Sequence, residues 1–151
     1  MRELRAAIQI SVPIDQVWRI LTDFDRWADW NPMVTQASGS ASVRSKLNIT
    51  MRGPASKGAM KYQPTVLEVN PPKNLRWRAT MMGGLLFTND RIFELKEKNG
   101  GTEFINIEKF SGLMVPLFWN KMNQFVVPML EKMNAALKDR MEAKSEFAPP
   151  V

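Results

Sequence analysis

The stretch TNDRIFELKEKNGGTEFINIEKF, residues 88–110, decides the fold because it reads as two strands joined by a tight turn. Apolar and polar residues alternate along both halves, which is the period of a half-buried strand. Asn99-Gly100 lies between the halves, and Asn-Gly is the strongest short hairpin signal. With these two residues as the loop, the predicted cross-strand pairs are Leu95 with Phe104, Phe93 with Asn106, Arg91 with Glu108, and Asn89 with Phe110.

The two faces of this hairpin differ in character. One carries Leu95, Phe93, Phe104 and Phe110, and the other carries mostly charged residues together with Ile92, Ile105 and Ile107. We expect the aromatic face to point inward, which would bring Arg91, Glu108, Asn89 and Asn106 in with it. A buried charge is costly unless it is paired, and Arg91 and Glu108 are predicted neighbours.

Three interpretations of this pair remain open at the level of sequence. Arg91 and Glu108 form the polar end of an apolar pocket, where they orient a ligand carboxylate, carbonyl or hydroxyl. Alternatively they form an ion pair at a solvated rim. In the third interpretation Glu108 is a catalytic general base, which requires a pKa raised by burial.

The residues before the hairpin predict strands and two short helices. Leu4, Ala6, Ile8 and Ile10 alternate as in a strand, and Ile14, Val17, Trp18 and Leu21 share a helical face ending near Thr22. In the following stretch TDFDRWADWNP, a second short helix is expected over 26–29, and Pro32 opens the turn. Phe24 with Trp27 or Trp30 should pack this hinge onto the domain, and Trp30 should reach the cavity wall.

Further strands are indicated between Met33 and Met81 by alternating apolar positions. Leu47, Ile49 and Met51 form one such run, Met60, Tyr62, Pro64 and Val66 a second, and Leu75, Trp77, Ala79 and Met81 a third. After Gly112, apolar residues recur every three or four positions, at Phe118, Met122, Phe125, Met129, Met133 and Leu137. This spacing predicts an amphipathic helix of about seven turns.

The element order predicts an α+β fold. A curved antiparallel sheet of about six to seven strands would wrap around the long C-terminal helix, with two short helices after the first strand. Residues 1–144 are expected to form a single domain, and residues 145–151 a disordered tail.

Composition excludes several chemistries. The 151 residues contain no cysteine and no histidine, which rules out disulfides, thiolate nucleophiles, imidazole bases and nearly every structural zinc site. We therefore expect no metal and no cofactor. The first residues lack the pattern of a secretory signal, and we expect a cytoplasmic protein.

The net charge of +6 is concentrated in one region. Residues 44–78 contain eight basic residues and one acid, a charge of +7, whereas the rest carries 13 basic and 14 acidic residues. Such a segment is either a solvated sheet face or a patch for an anionic ligand, a nucleic acid or an anionic membrane surface, the last as a weak contact. Nothing resembling a nucleic-acid recognition element accompanies it, and we expect no nucleic-acid partner.

Three stretches carry a family resemblance: SVPIDQVWRILTDFDRWADWNP near the start, VLEVNPPKNLRWR in the middle and GGTEFINIEKFSG before the last helix. They resemble the START-like or SRPBCC superfamily, specifically its polyketide cyclase/dehydrase and lipid transport group. The resemblance implies a helix-grip fold with a cavity between the sheet and the C-terminal helix. In this superfamily an apolar small molecule usually occupies that cavity.

We expect this cavity to be lined by apolar and polar side chains from both layers, with methionines as an adaptable lining. The glycine-containing loops RGPASKG and MGGLLF flank the cavity mouth in the superfamily, and we expect them to gate entry. The predicted lining residues are Trp30, Met51, Tyr62, Trp77, Met81, Phe87, Asn89, Arg91, Phe93, Asn106, Glu108, Phe110, Phe118, Met122, Phe125 and Met129.

The first functional expectation is a monomeric or homodimeric carrier that binds a small apolar or amphipathic molecule. The second is an enzyme resembling polyketide cyclases or dehydrases, with Arg91 and Glu108 as its polar participants, although the absence of histidine weighs against it. The third is a protein that acts at anionic lipid surfaces through residues 44–78.

Overall fold

The predicted hairpin is confirmed. In a computed structural model that describes residues 1–52 and 59–146, strands Phe87–Lys98 and Gly101–Ser111 are joined by Asn99 and Gly100. Both turn residues have positive φ, 53° and 76°, which suits the right-handed twist of the flanking strands. All four predicted cross-strand pairs form, including Arg91 opposite Glu108.

Within the described ranges, eight antiparallel strands form two sheets, where the sequence predicts six to seven strands in one. The larger sheet has the order β1-β8-β7-β6-β5 and the smaller one the order β2-β3-β4. The strands are β1 Arg2–Ile10, β2 Val34–Ser38, β3 Asn48–Arg52, β4 Ala59–Tyr62, β5 Thr65–Asn70, β6 Asn74–Met81, β7 Phe87–Lys98 and β8 Gly101–Ser111.

The sheets separate within the run predicted from Met60 to Val66. Pro64 lies between β4 and β5 and has no N–H to donate to a sheet ladder, so the strand breaks there. The Pro64 carbonyl instead accepts a hydrogen bond of 2.9 Å from the Leu47 N–H, and Lys46 bridges to Thr65. These contacts connect the small sheet to the edge of the large one.

Two short helices follow β1, as the apolar spacing predicts. Helix α1 spans Ile14–Thr22 and buries Ile14, Val17 and Leu21. A 3₁₀ helix spans Phe24–Asp29, beginning two residues earlier than expected, and buries Phe24 and Trp27. The Trp27 indole N–H donates to the Leu21 carbonyl at 2.8 Å, which ties this turn to α1.

The C-terminal helix α2 spans Val115–Glu146, a length of 32 residues or about nine turns rather than seven. It packs on β1 and β8 and completes the helix-grip arrangement. The buried apolar residues on it are Val115, Leu130, Met133, Leu137 and Met141.

The predicted stripe on α2 is wrong at two positions. Phe118 is 44% exposed and Phe125 is 66% exposed. The first half of α2 carries apolar residues around more than one face, so spacing alone does not identify the face that packs. Val115, Trp119, Met122, Val126 and Leu130 also recur at three or four residues, and they form the face in contact with the sheet.

Part of the sequence-based predictions falls beyond the described residues. Residues 53–58 of the RGPASKG loop lie outside the described residues, and so do residues 147–151 of the predicted tail. Within the described ranges, no helix has both the length and the apolar content required to cross a bilayer.

Candidate functional site

A small internal cavity lies where the two sheets meet α2. Its volume is about 20 Å³, which is enough for roughly one water molecule. Five predicted lining residues do line it: Met51, Tyr62, Trp77, Arg91 and Met129. The other lining residues are Trp27, Asn31, Met33, Val34 and Met133.

Arg91 and Glu108 form a buried ion pair beside this cavity. Arg91 Nη1 donates to Glu108 Oε1 at 2.9 Å, and the two side chains are only 11% and 13% exposed. The two side chains bond each other, as the rim interpretation also predicts, but they are mostly covered by protein and not freely solvated. The Arg91 guanidinium also lies over the Phe93 ring, 5.2 Å from its centroid, so an aromatic face supports the cation.

A chain of polar contacts continues from Arg91 into the protein interior. Arg91 Nε donates to Asn106 Oδ1 at 2.7 Å, and Asn106 Nδ2 donates to Asn134 Oδ1 at 3.2 Å. Asn134 Nδ2 then donates to the Ala6 carbonyl on β1 at 3.0 Å. Each amide is satisfied at both ends, so the chain holds the guanidinium in one orientation.

The sequence reasoning missed Asn134. The sequence does contain an indication of its role, because Asn134 follows Leu130 by four residues and places a polar side chain on the buried face of α2. A polar residue on such a face requires a buried partner.

The third nitrogen of Arg91 has a weaker partner. Nη2 donates to the Met133 sulfur at 3.3 Å, and a thioether is a poor acceptor. A guanidinium has five N–H donors, and both Arg91 and Met133 line the cavity. Arg91 therefore presents a weakly satisfied donor to the space between the sheets and α2.

Tyr62 on β4 lines the same cavity. Burial raises the pKa of Tyr62 to about 12; nearby Arg91 lowers it and Glu108 raises it. The phenol is consequently neutral over the physiological range and can donate a hydrogen bond. Tyr62 and Arg91 together give the cavity two donor groups at its polar end.

The apolar wall consists of aromatic and methionine side chains. Trp27 and Trp77 have ring centroids 5.7 Å apart, and both contact the buried Phe93 ring at 5.2 to 6.0 Å. Met33, Met51, Met129 and Met133 complete the wall. Methionine is unbranched and adapts to irregular shapes, so this wall can rearrange more readily than one of branched residues.

The sequence also missed Trp27, Asn31 and Met33 as lining residues. They belong to the hinge after α1, in which the sequence predicts a cavity contact for Trp30 and packing for the other aromatic residues. The Asn31 side chain accepts a hydrogen bond from the Met33 N–H at 3.0 Å, and this local turn directs the hinge toward the cavity. The hinge therefore supplies both packing and cavity wall.

Several predicted lining residues lie elsewhere. Phe87, Phe110 and Met122 pack in a separate cluster under α2 with Leu4 and Val115. Met81 is 52% exposed because it ends β6, beyond the part of the strand that the core covers.

Of the remaining predicted residues, three border the site without lining it, and Asn89 and Trp30 lie away from it. Phe93, Asn106 and Glu108 contact Arg91 from behind, as described above. Asn89 lies opposite Phe110, and its side-chain nitrogen is buried with no partner in the described chain. Trp30 is buried but borders a different surface depression, beside Arg140.

The basic segment is partly neutralised within the fold. Arg76 and Arg78 both bind Asp90 on the outer face of the large sheet, and Arg78 Nε lies 2.6 Å from Asp90 Oδ1. Burial raises the pKa of Asp90, but hydrogen bonds from Arg78 and Arg76 outweigh it and hold the pKa below its usual value. The described residues contain no cluster of three or more acidic side chains suited to a metal ion.

A family model described as polyketide cyclase / dehydrase and lipid transport matches residues 1–142. No curated protein matches the chain.

Among solved structures, the Zhui aromatase/cyclase from Streptomyces sp. R1128 has a TM-score of 0.80 at 12% identity, covering 99% of both chains. A protein from Thermus thermophilus has a TM-score of 0.77 at 15% identity, covering 95% of this chain and 99% of its own. The di-domain protein StfQ from the steffimycin biosynthetic pathway has a TM-score of 0.78 at 10% identity. The match covers 96% of this chain and 52% of StfQ. At these identities the likeness is one of fold.

Proposed function

We propose that this chain, which belongs to the polyketide cyclase/dehydrase and lipid transport family, binds a small apolar or amphipathic molecule between its two sheets and α2. The observation that carries the proposal is the composition of the cavity. Tryptophan and methionine side chains form its wall, and Arg91 and Tyr62, which are close enough to interact electrostatically, supply hydrogen-bond donors. Ligand sites commonly combine an apolar lining with a few placed polar groups.

The electrostatics favour a neutral polar group on the ligand. Glu108 already balances the charge of Arg91, so a carbonyl or hydroxyl oxygen would fit better than a carboxylate. That oxygen would accept from Arg91 Nη2 and replace the weak contact to the Met133 sulfur. The exchange gains a stronger hydrogen bond at no cost in unpaired charge.

Binding requires the cavity to expand. A volume of about 20 Å³ is far below the roughly 300 Å³ of a typical small-molecule site. Met33, Met51 and Met129 are each partly exposed, so they can turn outward without leaving the core unfilled. Ligand entry should therefore displace methionines before it displaces the aromatic wall.

Isothermal titration calorimetry with 2-naphthol and naphthalene tests this proposal. Saturable binding of both is expected, with about fivefold tighter binding of 2-naphthol, the contribution of one hydrogen bond. Met129→Trp should fill the cavity and weaken both. Gln124→Trp, on the exposed face of the same helix, should leave both unchanged. Equal weakening by the two variants, or no saturable binding, would refute the proposed site.

An enzyme of the cyclase or dehydrase type is the second candidate. The observation in its favour is the presence of two donors, Arg91 and the neutral Tyr62 phenol, at one cavity. Donors aimed at a carbonyl oxygen stabilise the negative charge that develops when the adjacent carbon loses a proton. Glu108 does not line the cavity, so this candidate requires the expanded cavity to reach the Arg91–Glu108 pair before Glu108 can accept that proton.

Product analysis separates the two candidates. The protein is incubated with a poly-β-keto thioester, and cyclised or dehydrated product is measured by mass spectrometry. The enzyme predicts product formation above the uncatalysed rate, lost in Glu108→Gln. Saturable probe binding without product supports the binding protein alone.

A further inference from the structure

Large apolar side chains are exposed together at one end of the molecule. Leu85 is 67% exposed, Leu113 64%, Leu117 79% and Phe118 44%. We refer to these four residues as the apolar tip. The loop after β6 and the start of α2 are joined there, because the Leu113 N–H donates to the Leu85 carbonyl at 3.1 Å. Contiguous exposed apolar surface is uncommon on a soluble monomer and marks an interaction site.

The apolar surface continues from the tip along α2. Phe125 is 66% exposed and lies two helical turns after Phe118, on the same side of the helix. Met129 follows one turn further and lines the internal cavity. The exposed face of α2 thus leads from the tip toward the cavity.

The charge around the tip is positive. Residues 79–89 and 109–130, which contain the tip, include no aspartate or glutamate, and the acid Glu3 on the adjacent β1 is paired with Arg5 and Lys109. Lys121 is exposed one turn after Leu117, and the Arg2 guanidinium lies over the Trp119 ring at 4.9 Å. The first turn of α2 also lacks an acid, although the helix dipole would favour one there.

We propose that the apolar tip docks on an anionic lipid bilayer, with Leu113, Leu117 and Phe118 at the boundary between headgroups and acyl chains. Lys121 and Arg2 would then lie among the anionic headgroups. Apolar and aromatic side chains bordered by Lys or Arg are the composition of interfacial membrane anchors. This inference does not rest on the proposed function, since no residue of the tip lines the cavity.

A second copy of the chain fits this surface less well. A two-fold interface brings two copies of the same patch together, so the positive charges of Lys121 and Arg2 would be concentrated in one interface. An anionic bilayer supplies the opposite charge.

Vesicle co-sedimentation tests the proposal. The wild-type chain is expected to sediment with vesicles of phosphatidylcholine mixed with phosphatidylglycerol, and less with phosphatidylcholine alone. Leu117→Ser/Phe118→Ser should weaken binding to the mixed vesicles by about tenfold or more, because it removes two inserted apolar groups. Val43→Ser, at a site that is 54% exposed outside the tip, should bind like wild type.

Four outcomes would overturn the proposal. The first is no sedimentation of the wild-type chain with mixed vesicles, and the second is equal binding by the double variant. The third is binding that high salt abolishes and that Lys46→Gln/Lys61→Gln removes while the double variant keeps it, which assigns the contact to the basic segment. The fourth is a dimer in analytical ultracentrifugation that the double variant dissociates. Probe binding by calorimetry is measured separately and is unaffected by any of these outcomes.

Discussion

Replacing Arg91 by methionine tests whether the ion pair is a buried structural unit. The substitution keeps a long apolar side chain in place but leaves Glu108, which is 13% exposed, without its cation. It also removes the donor to Asn106 Oδ1, so the series of hydrogen bonds from Arg91 through Asn106 to Asn134 loses its first bond.

Removing one partner of a buried pair costs roughly 3–5 kcal/mol. The residual exposure of both side chains argues for the lower end, about 3 kcal/mol, which corresponds to a fall in Tm of roughly 6–12 °C for a domain of this size. Arg91→Met/Glu108→Leu replaces both charges by apolar groups and should recover most of this loss, apart from about 1 kcal/mol for the unpaired Asn106 amide.

A double-mutant cycle by urea unfolding measures the coupling. The expected coupling between Arg91 and Glu108 is about 3 kcal/mol. Lys98 and Glu103 provide the matched control, since their contact is 3.2 Å and their side chains are 54% and 25% exposed. That pair should couple by less than about 1 kcal/mol. Equal coupling in both cycles would refute the claim that burial distinguishes the Arg91 pair.

Three further predictions concern ionisation and backbone geometry. Tyr62 is the one tyrosine of the chain, so near-ultraviolet absorbance should show its titration at about pH 12 in the folded protein and near 10 in urea. Because the pKa of Tyr62 is higher in the folded state, the contribution of the neutral phenol to stability is complete below about pH 10 and is lost as pH rises toward 12. A folded absorbance midpoint near 10 would contradict the raised pKa. Asp90 has a lowered folded pKa, so its contribution is present above about pH 4 and is lost as pH falls through the folded pKa. Asp90→Asn should remove this acid-dependent loss in urea unfolding, and an unchanged pH profile would contradict the assignment. Gly112 has φ of 116°, and a Cβ there would overlap the Leu86 carbonyl. Gly112→Ala should therefore cost about 1–3 kcal/mol in thermal unfolding, and an unchanged Tm would count against that strain.

The register around Arg91 could be predicted because local chemistry determines it. Asn-Gly specifies a two-residue loop, and alternation then assigns every following side chain to a face. The contact between Arg91 and Glu108 follows from residues of the hairpin alone. The fold class could also be predicted, since the order of strand and helix periods along the sequence fits few architectures.

The cavity wall depended on contacts that periodicity does not encode. Trp27 and Met33 reach the cavity because a 3₁₀ helix and an asparagine turn direct the hinge inward. Tertiary packing determines that direction. Phe118 and Phe125 fit the helical period as well as Trp119 and Val126 do. Only the position of β1 and β8 beneath α2 decides which set is buried.

Native mass spectrometry of the protein isolated from its own cells tests the central claim most directly. The account predicts that a fraction of the protein carries a small apolar or amphipathic molecule. Extraction should release it, and Met129→Trp should lose it while Gln124→Trp keeps it. Protein that carries no compound in any preparation, or a compound retained equally by Met129→Trp, would contradict binding between the sheets and α2.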